Sequence, residues 1–153
     1  EFLAGFAPVA HLPYLADVAR IDLARREAYH AADADALAPE ALALAPEALM
    51  VARFRFAPAV QILRSAYPIY GIWQLHRGGG KPPAVAQDVI ISRPGFDPEV
   101  DLLPPGAAGF LLALQGGATT ADALEAAPDL DPENGLSPTF ALALTRGVFT
   151  GLT

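Results

Sequence analysis

The first third of the chain has the apolar pattern of helices. Between residues 13 and 33, apolar residues recur every three or four positions and charged residues fall between them, which predicts one amphipathic helix. Pro39 and Pro46 each precede Glu and then Ala-Leu, and they predict two short helical turns, because proline suits the first turn of a helix. The apolar stripe of the first helix consists of Tyr14, Leu15, Val18, Ile21 and Ala28.

After these helices, apolar residues recur at every second position instead of at every third or fourth. Residues 50–56 alternate, with two phenylalanines on one face and Arg53 and Arg55 on the other, as in a strand with one wet face. Residues 60–65 predict a second short strand. Residues 68–77 predict an amphipathic helix that begins at a proline.

A glycine- and proline-rich stretch at residues 78–83 predicts a loop or linker between two parts, 1–80 and 81–153. An arrangement in which both parts pack as one unit is left open. The second part has the element order of a winged-helix-like module. Its predicted elements are hairpin strands at 88–93 and 100–103, helices at 107–115, 121–127 and 138–146, and a closing strand from Gly147; Ser137 is predicted to cap the last helix. We therefore predict an α+β fold, in which an N-terminal helical segment with short strands precedes this module.

Charge is distributed unevenly along the sequence. The net charge is −7, yet residues 50–95 contain six basic residues and a single acid, Asp88. Two interpretations follow: the acidic helices have ordinary solvated faces, or the basic stretch forms a surface strip that meets an acidic partner. The overall negative charge argues against DNA as the partner of this sequence.

No catalytic or metal-ligating pattern emerges. The chain has no cysteine, its three histidines are not in ligand motifs, and none of its serines lies in a nucleophile motif. The Gly-Gly-Gly-Lys run at residues 78–81 lacks the spacing of a phosphate loop. Asp97, Glu99 and Asp101 alternate along the hairpin and predict its solvent face. We therefore expect a non-catalytic protein without cofactor or metal.

Hydropathy indicates no membrane segment. The longest uncharged run, residues 102–121, contains two prolines and four glycines, which argues against a membrane span. No basic and then apolar stretch of the signal-peptide type begins the sequence. Together with the lack of cysteine, this predicts a cytoplasmic location.

Several segments resemble the C-terminal portion of a bacterial family whose members carry a DNA-binding-domain label. The family includes the accessory subunit of methanobactin biosynthesis and related maturation proteins for ribosomally made, modified peptides. The segments are LPYLADVAR at 12–20, AYHAAD at 28–33, SAYPIYGIW at 65–73, VIISR at 89–93 and FLLALQGG at 110–117. The sequence departs from the family pattern at Asp22, where glutamate is expected, and at Ala57-Pro58, where His-Pro is expected.

The resemblance implies an accessory subunit that binds an iron-containing TIM-barrel oxidase and its precursor peptide. In that family a helical domain usually precedes the portion that this sequence resembles and gives rise to the DNA-binding label; we expect this domain to be absent, which weakens a DNA-binding role. An extended peptide could join the short sheet as an edge strand. The candidate peptide- or partner-binding residues are Arg53, Arg55, Arg64, Trp73 and Arg93. The alternative is a transcription regulator whose helix–Gly-Gly–helix pair reads DNA, although residues 107–146 offer only Arg146 as a positive charge.

Overall fold

The structure, a computed structural model, describes residues 11–75 and 77–153 and confirms the predicted α+β class. Short helices and two small antiparallel sheets make up the described part of the chain. In chain order the elements are α1 (Leu15–His30), a 3-10 turn (Pro39–Leu42), α2 (Pro46–Val51), β1 (Phe54–Phe56), β2 (Gln61–Leu63), α3 (Ile69–Leu75), β3 (Val89–Ser92), β4 (Glu99–Leu102), α4 (Ala107–Gln115), α5 (Thr120–Glu125), α6 (Leu136–Thr145) and β5 (Phe149–Leu152).

Both sheets join strands from the two sides of the glycine-rich loop. The larger sheet has the order β2-β3-β4, with Leu63 opposite Val89 where β2 pairs with β3. The smaller sheet pairs β1 with β5, and Phe54 lies opposite Leu152. The predicted β3–β4 hairpin is present, followed by three helices and a closing strand.

The central strand β3 divides the core into two apolar clusters. Val89 and Ile91 point to one face, where they pack with Ile21 of α1 and Trp73 of α3. Ile90 points to the other face and joins the larger cluster around α4, α6 and the small sheet. All three β3 residues are fully buried, because helices or strands cover both faces of this sheet.

The predicted cap of the last helix is wrong. Helix α6 begins at Leu136 with Gly135 as its N-cap, so Ser137 lies inside the first turn. The preceding turn is organised by Asp131, whose carboxylate accepts hydrogen bonds from the backbone N–H groups two and three residues later. A Cβ at Gly135 would lie 2.8 Å from the backbone carbonyl oxygen of Asp131, so the tight turn requires glycine at the cap position.

Other differences concern element ends. The predicted strand at 50–56 is shortened to Phe54–Phe56, because Met50 and Val51 complete α2. Helix α1 ends at His30, three residues before the predicted end, and the next residues turn into an extended conformation at Ala31. Within the described residues, no helix combines the length and apolar character needed to cross a membrane.

Candidate functional site

Strand β4 forms one edge of the three-stranded sheet. The backbone N–H of Leu103 donates to the carbonyl oxygen of Asp88 at 3.0 Å. The N–H and C=O groups of Leu103 therefore point toward β3. Hydrogen-bonding direction alternates along an antiparallel strand. The N–H and C=O groups of Val100 and Leu102 therefore point away from β3, toward the open edge. No other segment in the described part of the chain is hydrogen bonded to them.

A cleft of about 350 Å³ lies at the end of this edge. The end of β2, the start of β3 and the end of β4 meet there, since the strands are antiparallel. Two apolar side chains at the cleft remain largely in solvent: Val85 is 60% exposed and Leu102 is 42% exposed. The remaining lining residues are Arg64, Ser65, Ala86, Gln87, Asp88, Leu103, Pro104, Pro105 and Gly106.

Asp88 bonds to two of the polar groups of the cleft, the Ser65 backbone and the Arg64 side chain. Its carboxylate accepts the backbone N–H of Ser65 at 3.1 Å and forms an ion pair with the Arg64 Nε at 3.5 Å. The Ser65 hydroxyl donates to Asp17 at 2.7 Å. Each of these side chains therefore has a partner within the protein, and Arg64 is the predicted site residue that the structure places at this cleft.

A second, shallower depression lies near the start of β4. It is formed by one face of α1 and by the hairpin turn, and Tyr29, which is 55% exposed, contributes its ring. The other lining residues are Asp22, Arg25, Arg26, Asp97 and Pro98. The adjacent Phe96 at the hairpin tip is 93% exposed. The open edge of β4 thus runs between two depressions.

The acidic residues of β4 do not form the predicted solvent face. Asp101 and Glu99 form ion pairs with Arg146, the residue that caps the end of α6, and the distance is 2.7 Å for Asp101. The hydrogen bond to Asp101 raises the pKa of the Arg146 guanidinium above its ordinary value. The prediction is wrong for Asp101, whose side chain is 18% exposed, because Arg146, the residue after α6, places a cation against this strand.

Two predicted binding residues make internal contacts. The guanidinium of Arg93 donates to the carbonyl oxygens of Tyr29 and Ala31, both at 2.9 Å, and its side chain is only 11% exposed. Trp73 is buried, its Nε1 donates to Asp22 at 3.1 Å, and the Arg77 guanidinium lies 4.4 Å from the ring centroid. These contacts give both residues packing roles.

Arg53 and Arg55 lie on the exposed face of β1, on the opposite side from the buried Phe54. Arg53 donates to the carbonyl oxygen of Gly117. The Arg55 side chain lies against Gly151 of β5 and has no side-chain acceptor among the described residues. The predicted site residues are thus distributed over separate surfaces and do not converge.

Sequence reasoning missed Val85 and Leu102. Val85 lies in a proline- and alanine-rich segment without periodicity, and Leu102 is the last residue of a strand with a mixed pattern. Their exposure depends on how the segment before β3 and the end of β4 pack in the folded protein, and no local signal in the sequence specifies that packing.

Comparisons with protein-family models, with curated proteins and with solved structures gave no match to this chain. Within residues 11–75 and 77–153, no group of three or more acidic or histidine side chains is arranged to hold a metal ion. The open edge of β4 and its surroundings are therefore the features of this chain that bear on its function.

Proposed function

We propose that this chain is a non-catalytic accessory subunit in the maturation of a ribosomally made peptide. It binds the precursor peptide as an added strand along β4 and also binds an iron-dependent oxidase of the TIM-barrel type. The identity of the two partners comes from the resemblance of residues 12–33, 65–73, 89–93 and 110–117 to the accessory-subunit family. The mode of peptide binding comes from the geometry of the chain.

The observation that carries the proposal is the open edge of β4. Its outward N–H and C=O groups, on Val100 and Leu102, can form the hydrogen bonds of a further strand. The edge is short, and the cleft beside it supplies a place for a peptide side chain. Main-chain bonds provide affinity in such complexes, and side-chain pockets provide specificity.

The oxidase is assigned to a different surface, the exposed face of β1 with Arg53 and Arg55. Arg55 lies opposite Gly151, so no side chain on β5 covers it from across the ladder. An exposed guanidinium without a carboxylate partner favours an acidic surface and accelerates its association. Peptide and oxidase can then be bound together, because the two surfaces belong to different sheets.

The first test is co-purification with an iron-dependent TIM-barrel oxidase of the proposed kind, with and without the precursor peptide of that oxidase. The proposal expects a stable complex and micromolar or tighter peptide binding. Leu102→Pro, which removes an outward N–H, should weaken peptide binding about tenfold. The control Leu102→Ala keeps that N–H. If proline and alanine variants bind the peptide equally well, main-chain pairing at β4 is refuted.

The oxidase surface is tested separately by reversing one charge. Arg55→Glu should weaken the complex with the iron enzyme and leave peptide binding unchanged, whereas Lys81→Glu, an equal charge change on an exposed loop, should have little effect. Equal effects of the two variants would remove Arg55 from the interface. Salt-dependent DNA binding by the chain, without either partner, would favour the regulator alternative.

A further inference from the structure

We infer that the peptide segment bound at β4 carries an aliphatic anchor residue and no net charge, so that its binding depends only weakly on salt. This inference rests on the proposed peptide binding. It specifies which chemical class of segment the edge selects, and it follows from the direction of side chains, the lining of the cleft and the pairing of charges.

The direction of side chains follows from the register of the sheet. Leu102 lies opposite Val89, and Val100 lies opposite Ile91. Val89 and Ile91 face α1, so Val100 and Leu102 face the same side. A peptide residue paired with Leu102 points its side chain to this side as well. It is therefore directed to the cleft at Val85, while its neighbours along the peptide point to the opposite face.

The cleft is suited to an aliphatic side chain. Its apolar walls are Val85, Leu102 and the consecutive Pro104 and Pro105. Its charged side chains already have partners, since Asp88 pairs with Arg64 and accepts from the Ser65 backbone. The Ser65 hydroxyl donates to Asp17, and the Gln87 side-chain oxygen accepts from the backbone N–H of Gly71. A buried charge on the peptide would find no unpaired counter-charge there.

Charges along the rest of the edge are also matched. Four arginines and five carboxylates surround β4 and its two depressions, and most of them form ion pairs within the protein. The nine charged residues are Arg25, Arg26, Arg64, Arg146, Asp22, Asp88, Asp97, Glu99 and Asp101. Opposite charges that lie this close together leave only a weak electrostatic field to attract a charged ligand. An acidic segment is therefore not favoured at this edge.

The test is selection of a display library of random eight-residue peptides on the purified chain. Selected peptides are sorted by their sensitivity to Leu102→Pro, and the sensitive ones are synthesised with a fluorescent label. We expect an aliphatic residue common to these peptides, no net charge, and a change in Kd of less than about threefold between 50 and 500 mM NaCl. Enrichment of acidic or basic peptides, or a much larger salt effect, would overturn the inference.

Two valines provide a matched pair for the anchor. Val85→Ser should weaken the labelled peptides about fivefold by removing apolar surface from the cleft. Val51→Ser alters a valine of similar exposure at the end of α2 and should have no effect. Peptides that bind through β4 with equal affinity to both variants would refute the cleft and leave the proposed function standing. If no selected peptide responds to Leu102→Pro, peptide binding at β4 fails as well.

Discussion

Arg93 stabilises the end of α1 mainly through backbone carbonyl oxygens. Its guanidinium donates to Tyr29 and Ala31, while its carboxylate partner Asp33 is 99% exposed, so solvent screens that ion pair. We expect Arg93→Ala to lower the free energy of unfolding by about 2 kcal/mol. Asp33→Asn should change it by less than about 0.5 kcal/mol. Chemical denaturation measures both, and a larger effect of Asp33→Asn would contradict this division.

The same residue illustrates what sequence can and cannot assign. The alternation of residues 50–56 predicted that Arg53 and Arg55 share a face in water, and both are indeed exposed. It could not predict that Arg93 reaches the end of α1, about sixty residues earlier, or that Arg146 meets Asp101. Long side chains choose partners through tertiary structure, so their type and position in the sequence do not reveal whether they remain free to bind a ligand.

At the scale of elements, alanine substitutions at two glycines with left-handed backbone distinguish the cost of backbone strain from the cost of steric crowding. Gly106, the N-cap of α4, has φ +77°, and a Cβ there would lie 2.3 Å from the backbone of Leu130. Gly117, after α4, has φ +90° and open space around it. We expect Gly117→Ala to cost about 1 kcal/mol and Gly106→Ala to cost more than about 3 kcal/mol. Thermal unfolding compares them; similar losses would refute the steric argument.

Helix α5 begins with a capping box formed by Thr119 and Asp122. A hydrogen bond with the Thr119 side chain lowers the pKa of Asp122, and a hydrogen bond with the Thr119 backbone lowers it further. A lowered carboxyl pKa contributes stability at neutral pH that is lost as pH falls through the folded-state value. Thr119→Ala should cost about 1 kcal/mol at pH 7. Its Tm difference from the unmodified chain should shrink below pH 4, and a pH-independent difference would exclude the Asp122 contribution.

The elements themselves were more predictable than their pairing. Helix α4 has the bounds predicted from its apolar run and flanking glycines, and the β3–β4 hairpin follows from local turn residues. Pairing of β1 with β5 joins segments nearly a hundred residues apart, and no local pattern specifies it. The open edge of β4 depends on a different pairing, because β3 lies between β2 and β4 and its bonds to β2 span the glycine-rich loop. The peptide edge could therefore be anticipated as a type of site and not located.

At the scale of the whole molecule, the two sheets connect the parts before and after the glycine-rich loop. Ile90 and Ile91 are adjacent and fully buried, but they belong to different clusters, and Trp73 reports on the cluster of Ile91. We expect Ile90→Ala to lower the free energy of unfolding by about 3 kcal/mol. If one transition unfolds both clusters, the midpoint followed by Trp73 fluorescence should shift as far as the midpoint followed by far-UV circular dichroism. Coincidence is expected because β3 contributes to both clusters and pairs with β2 on one side and β4 on the other. Were the two parts independent units, Ile90→Ala would separate the two transitions, and a peptide bound at β4 would then stabilise only one of them.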